Sequence, residues 1–179
     1  MRLPVKAFFV TALVLAVGCG WQTQGQTAGA GEQMAFSENT PVQHLVALRP
    51  DTLRALFETP EARQVLNFAS DATQDDPSRL FRAAEADLTG AGEADLVVVG
   101  VPPMAGADSN WFWVVRSTRN GPRVVLFTSA STLSLAETIT NGYRDIVTIW
   151  SSATETQETT FHFDGKSYKG WKKTARSRN

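Results

Sequence analysis

The chain carries one cysteine and two histidines in 179 residues, and these shortages remove several chemistries before any motif is read. A single thiol, Cys19, cannot close an intramolecular disulfide, so the fold must be held by its core. A structural zinc site takes about four ligands, and no cysteine pair or closely spaced histidine pair exists, the histidines being His44 and His162. No metal or cofactor is expected. No G-x-S-x-G nucleophile elbow occurs, so a Ser-His-Asp hydrolase would have to be assembled around His162 with Asp164. Basic excess is missing too. Lys and Arg number 17 against 18 Asp and Glu, and loss of residues 1–18 would remove Arg2 and Lys6, leaving 15 against 18. A nucleic-acid footprint calls for a basic patch or stripe, so nucleic acid is not an expected partner. Apolar runs are short: residues 7–18 span roughly 18 Å as a helix, against about 30 Å of bilayer hydrocarbon. No internal repeat of propeller or solenoid length is found.

What is present starts at the N-terminus. The segment "MRLPVKAFFVTALVLAVGCG" sets Arg2 and Lys6 before the apolar residues 7–18 and then Cys19, the pattern of a secretory signal peptide. "LAVGC" resembles the lipobox of bacterial lipoproteins, which implies a diacylglycerol on the Cys19 sulfur and cleavage just before it. Ala16 stands where that family usually has Leu, Val or Ile, and Ala16-x-Gly18 also fits ordinary signal cleavage, which would leave a free thiol and a protein secreted to the periplasm. Two acyl chains anchor stably where one binds only marginally. Gly20 stands where retention at the inner membrane commonly needs Asp, so the resemblance implies the outer membrane, facing the periplasm. The expected organisation is a signal peptide over 1–18, a lipid-anchored flexible linker over 19–34, one domain over 35–170 and a basic C-terminal tail over 171–179.

The domain divides into a helical start and a strand-rich remainder. Leu53, Leu56 and Phe57 recur at helical spacing, and Thr59-Pro60-Glu61 reads as an N-cap followed by Pro at the first helical position of a second helix with Ala62, Val65, Leu66 and Ala69 on one face. From Leu80 onward short apolar runs alternate with turn signals. Asn141-Gly142 is the dipeptide of a two-residue hairpin whose central residues need positive φ. The fold class is α+β, an antiparallel meander of about six to eight strands with two short N-terminal helices on one face.

The stretch "DLTGAGEAD", residues 87–95, poses a choice between a calcium loop and a turn. Ca²⁺ takes about six to eight oxygens, and Thr89 and Ala91 stand where two ligands would be needed, so a glycine-containing turn before the strand "LVVVG" is expected. The stretch resembles a worn FG-GAP/VCBS-like unit. "TNGYRDI" and "FDGKSY" are similar to segments of a group of bacterial envelope lipoproteins that carry such a unit once, followed by a hairpin sheet. The resemblance spans residues 86–168 and implies a fold rather than an activity, so no catalytic residue is carried over.

Three surfaces are candidates for binding, and one pair of carboxylates is weighed for acid–base chemistry against simple solvation. Trp111 and Trp113 share one face of a strand, with Phe112 on the other; an exposed pair would mark a glycan or protein site, and the alternative is that the helices and loops cover them. Tyr143 and Arg144 either form a recognition tip or hold the sheet together, Arg144 by pairing with a carboxylate. Glu155 and Glu158 fall in a polar stretch expected at a hairpin tip. The basic end "KGWKKTARSRN" could meet anionic lipid or polysaccharide, or be a solvated tail. The expected function is a non-enzymatic binding or structural lipoprotein of the cell envelope, held at the membrane by its N-terminal lipid, with an envelope protein or glycan as partner. The alternatives are a periplasmic inhibitor of an enzyme such as lysozyme, and a hydrolase using His162.

Overall fold

A computed structural model describes residues 35–37, 45–66, 75–92, 94–101 and 109–177. The expected signal peptide, Cys19, the linker over 19–34, His44 and Ala69 lie outside the described residues. Among the described residues, ten strands and two α-helices, with a 3-10 turn over Pro77–Leu80 before β3, follow in the order β1 (Ala35–Ser37), β2 (Leu45–Val46), α1 (Pro50–Phe57), α2 (Pro60–Leu66), β3 (Phe81–Ala86), β4 (Asp95–Gly100), β5 (Asn110–Arg116), β6 (Arg123–Ala130), β7 (Thr132–Thr140), β8 (Tyr143–Ser151), β9 (Glu155–Phe163) and β10 (Tyr168–Ser177). All pairings are antiparallel. The fold is α+β, as the sequence pattern implies, and the strands divide between two five-stranded sheets. The inner sheet runs β2-β3-β4-β5-β6 and the outer sheet β1-β7-β8-β9-β10.

The inner sheet is apolar on both faces, and this is legible in its strands. "DLVVVG" and "NWFWVVR" are continuous hydrophobic runs rather than alternating ones, the pattern of a sheet covered on both sides. Val97, Phe112 and Val114 face the outer sheet and pack with Leu133, Leu135, Ile146 and Phe163. Val98, Trp113 and Val115 face the other way, against Leu56 and Ala62 of the helices. Three layers result, and no helix among the described residues packs on the outer sheet's far face. Each fully buried large apolar side chain contributes about 1.5–3 kcal/mol.

On the helix side the aromatics interlock edge to face: Phe57 on Phe81 at 5.6 Å, Phe81 on Trp113 at 5.5 Å, and Trp111 on Phe127 at 5.7 Å between ring centroids. A buried indole needs a partner for its N–H. Trp113 Nε1 donates to the Thr59 hydroxyl at 3.1 Å, and that hydroxyl donates to the Leu56 carbonyl at 2.6 Å. Thr59 does precede Pro60, but its side chain ties the end of α1 to the inner sheet instead of capping α2.

The chain passes between sheets across one residue, Ser131, which separates β6 from β7. Its N–H donates to Ile149 O at 2.7 Å, its hydroxyl accepts the Ser151 N–H at 3.0 Å, and its carbonyl accepts from Asn110 Nδ2 at 3.4 Å. Strands of both sheets therefore fix the corner, and one long meander is folded in half. At the other end of β7, Asn141 and Gly142 have φ of 52° and 81° and connect the paired residues Thr140 and Tyr143, the two-residue turn that the dipeptide implies.

Two expected boundaries shift. The basic segment from residue 171, expected as a tail, is the outer half of β10, because residues 172–177 pair in register with residues 155–160 of β9. Glu155 and Glu158 already belong to β9, the tip itself being Ser152, Ala153 and Thr154.

A Cβ at position 142 would meet no atom within 4 Å, so substitution there reads backbone strain alone. Gly142→Val should cost about 1–3 kcal/mol, the range for a β-branched residue held at positive φ, whereas Gly142→Asn should retain most of the stability, since Asn visits that region at low cost. Thermal or denaturant melts measure both. An unchanged Gly142→Val midpoint would contradict the assigned turn.

Candidate functional site

Three sequence segments singled out above meet at one end of the sandwich, and their polar groups turn onto backbone. In the first, the two Asp87 oxygens accept the N–H groups of Thr89 at 3.1 Å, Gly90 at 2.7 Å and Gly92 at 2.9 Å. Gly90 and Gly92 have φ of 74° and 79°, which aims successive N–H groups at one carboxylate. Desolvation raises the Asp87 pKa, but these N–H groups and the Thr89 hydroxyl outweigh it and leave the carboxyl below its ordinary value. The loop closes on its own carboxylate, which is the turn anticipated from the sequence. Asp95, fully buried, accepts the Ser117 N–H at 2.8 Å.

The loop is joined to the second segment through its backbone. Leu88 is fully buried in the core, and its carbonyl accepts the Arg144 N–H at 2.6 Å. The Arg144 carbonyl accepts the Tyr168 hydroxyl at 2.8 Å, which brings in the third segment. Burial, followed by the charges of Asp95 and Asp145, pushes the Tyr168 phenol well above its ordinary range, against the opposing effect of Arg116, so the hydroxyl stays a donor. Asn141 Nδ2 donates to Phe163 O at 2.6 Å. Tyr143 packs on Phe163 at 4.2 Å and lies under the Arg116 guanidinium at 4.6 Å. Asp164 Oδ1 accepts the N–H groups of Ser167 and Lys166 at 2.7 and 2.8 Å. Those two bonds hold its carboxyl below the usual range.

The candidate residues fall on both sides of this frame. Tyr143 is part of it, half-buried between Arg116 and Phe163. Arg144 serves through its main chain. The expected pairing of its side chain with a carboxylate is not found, since no ion pair among the described residues involves Arg144. Trp113 is fully buried beneath the helices and Trp111 is half-buried beside it. The tryptophans therefore form no exposed patch: of the two readings, the one in which helices and loops cover them is what the structure shows, with the helices and Phe127 on that face.

A second cluster lies on the helix-free face of the outer sheet. The β8–β9 register puts Asp145 beside His162, one step beyond the Ile146–Phe161 pair. His162 Nε2 lies 3.6 Å from Asp145 Oδ2, the same oxygen that accepts the Thr138 hydroxyl at 2.6 Å. Asp145 is buried at 3% exposure because β7 bulges there, residues 136–138 standing opposite this one residue of β8. The His162 ring stacks on Trp171, with centroids 5.1 Å apart and planes at 17°. Trp171 occupies a bulge of β10 and is 74% exposed. Asp164, the partner that the hydrolase alternative would require for His162, is occupied in its own turn.

A scan of protein-family models, a search of curated proteins and a search of solved structures each return no match to this chain. The geometry therefore carries the reading of the site. A cleft of about 140 Å³ between Arg49, Thr52, Glu85 and Ser117 is smaller than the roughly 300–1,000 Å³ of pockets that enclose drug-sized ligands. Trp171 is the residue that sequence reasoning missed. The signal was its position in a strand whose neighbours are lysines and glycine, which have low strand propensity.

Asp87→Ala should lower stability at neutral pH by about 1–2 kcal/mol, the cost of orphaning backbone donors held by one carboxylate. The sign with pH follows from the lowered pKa. The Asp87 contribution is complete above the ordinary value of 3.8 and is lost as pH falls through the folded-state value. Wild-type and variant melting temperatures should therefore converge as the pH is taken below that ordinary value and through the lower folded-state one. A gap that persists or widens in acid would contradict the assignment.

Proposed function

We propose that this chain is a lipoprotein of the bacterial cell envelope, anchored through Cys19 at the outer membrane and presenting its sandwich to the periplasm as a non-enzymatic binding module. The observation that carries the binding half is Trp171. A large aromatic ring held 74% exposed by a specific stack on His162 is the type of residue that dominates recognition surfaces. Its support differs in kind from that of the 87–95, 141–145 and 163–168 segments, whose carboxylates, amide and hydroxyl bond to the protein's own backbone. The anchoring half rests on the signal-like segment ending in Gly18-Cys19. The proposed relation to single-unit FG-GAP/VCBS-like envelope lipoproteins rests on the three segments quoted above.

The pair His162–Asp145 is the observation that favours the hydrolase alternative. A hydrolase would need a nucleophile on His162, and the hydroxyl at this centre, that of Thr138, is bound to Asp145. Trp171 lies across the imidazole. This arrangement suits His162 to act as the backing of an aromatic platform.

Metabolic labelling with a fatty-acid analogue followed by membrane fractionation tests the anchor. Wild-type protein should be labelled and sediment with membranes, and Cys19→Ser should lose the label. Equal labelling of the two would refute lipidation at this cysteine.

A further inference from the structure

We propose that the helix-free face of β9 and β10 is a binding strip for an anionic polysaccharide, with Trp171 as its stacking platform. The proposal rests on the binding-module reading and gives that module its ligand class. Phe161 and Phe163 of β9 point into the sandwich, so His162, Thr160, Glu158 and Thr156 alternate onto the far face. The register then places Lys169 opposite His162, Lys172 opposite Thr160, Thr174 opposite Glu158 and Arg176 opposite Thr156 on that same face. Lys169, Lys172 and Arg176 are exposed. Lys172 and Arg176, four residues apart on one strand, are separated by about 13 Å, with threonine hydroxyls between and beside them.

Charge complementarity selects an anionic occupant. Residues 166–178 hold six basic side chains and no acidic one, which leaves the rest of the chain with 11 basic against 18 acidic residues. Four of those basic side chains, Lys169, Lys172, Lys173 and Arg176, lie on β10 itself, with Glu158 as the acid facing it from β9 on this face. Such asymmetry attracts a polyanion at moderate salt and weakens as screening increases.

The attitude of Trp171 selects a sugar chain over a lipid surface. Its plane lies at 17° to the imidazole behind it, so the ring is braced and offers its open face rather than its edge. An apolar, planar face bordered by hydroxyls and cations suits the apolar face of a sugar ring carrying carboxylate or phosphate groups. A membrane-inserting tryptophan needs apolar neighbours that enter with it, whereas Lys169, Gly170 and Lys172 flank this one.

The test uses the full-length protein in nonionic detergent, passed over immobilised polygalacturonate or neutral dextran at rising salt. Retention on polygalacturonate alone is expected. Trp171→Ala should weaken it severalfold, up to about tenfold, the scale of one lost aromatic contact. Lys172→Glu with Arg176→Glu should remove most of its salt dependence, and Arg82→Glu, at an exposed site on β3 of the inner sheet, should change neither. All four side chains are exposed, so melting curves should stay at the wild-type position, and circular dichroism checks this. Equal retention on dextran, or wild-type retention by both Trp171→Ala and the double reversal, would overturn the proposal. Full displacement by phosphatidylglycerol added to the micelles would overturn it in favour of a lipid surface. Lost retention with Cys19 still acylated refutes the strip and leaves the tethered module, whereas retention without acylation refutes the anchor and leaves the strip.

Discussion

The inner sheet has no face that tolerates water, and the rest of the architecture follows from this. Phe112 and Trp113 are adjacent in β5 and both fully buried, so one points into each neighbouring layer. A sheet of that kind needs a cover on either side. The helices supply one, anchored where the Thr59 hydroxyl receives the Trp113 indole. The second half of the meander supplies the other by folding back at Ser131. The outer sheet then needs to be apolar on only one face, and its far face is left for polar and charged residues.

Closing such a fold requires a joint between the half that starts at β3 and the half that starts at β7. The Leu88–Arg144 and Tyr168–Arg144 hydrogen bonds make it, with Asp87 holding the loop that presents Leu88. The segments with the strongest family-like appearance are therefore the ones engaged in this closure. Their polar residues resemble a site because a buried joint, like a catalytic centre, requires oriented polar groups with few alternatives. Exposed surface with a shape of its own lies elsewhere, at the stack of Trp171 on His162.

How much of this was legible in the sequence depended on the range of the physics involved. The helices around Leu56 and Ala62, the turn at Asn141-Gly142 and the loop closed by Asp87 were readable, because each depends on residues a few positions apart. The α+β class followed from the same local signals. The division into two sheets was not readable, since Ser131 becomes a corner only through Asn110, Ile149 and Ser151. The burial of Trp113 was readable only as one of two alternatives, because it depends on helices more than 45 residues upstream in the chain. β10 was hidden by its own composition: Gly and Lys disfavour a strand, and pairing with β9 overrides that preference. The neighbourhood of Asp145 and His162 could have been found by fixing the hairpin tip at residues 152–154, which sets the two opposite each other.

Native-state hydrogen exchange at the Arg144 amide tests the central claim, that the quoted segments form the joint closing the two halves. That N–H follows directly on a hairpin turn and would exchange early if the turn were a free recognition tip. Bonded to Leu88 O, it should exchange only through global unfolding, with the same opening free energy as Val97 and Val98 in the inner sheet. Rapid exchange of Arg144 while Val97 and Val98 remain protected would show that this end of the sandwich is not what holds the halves together.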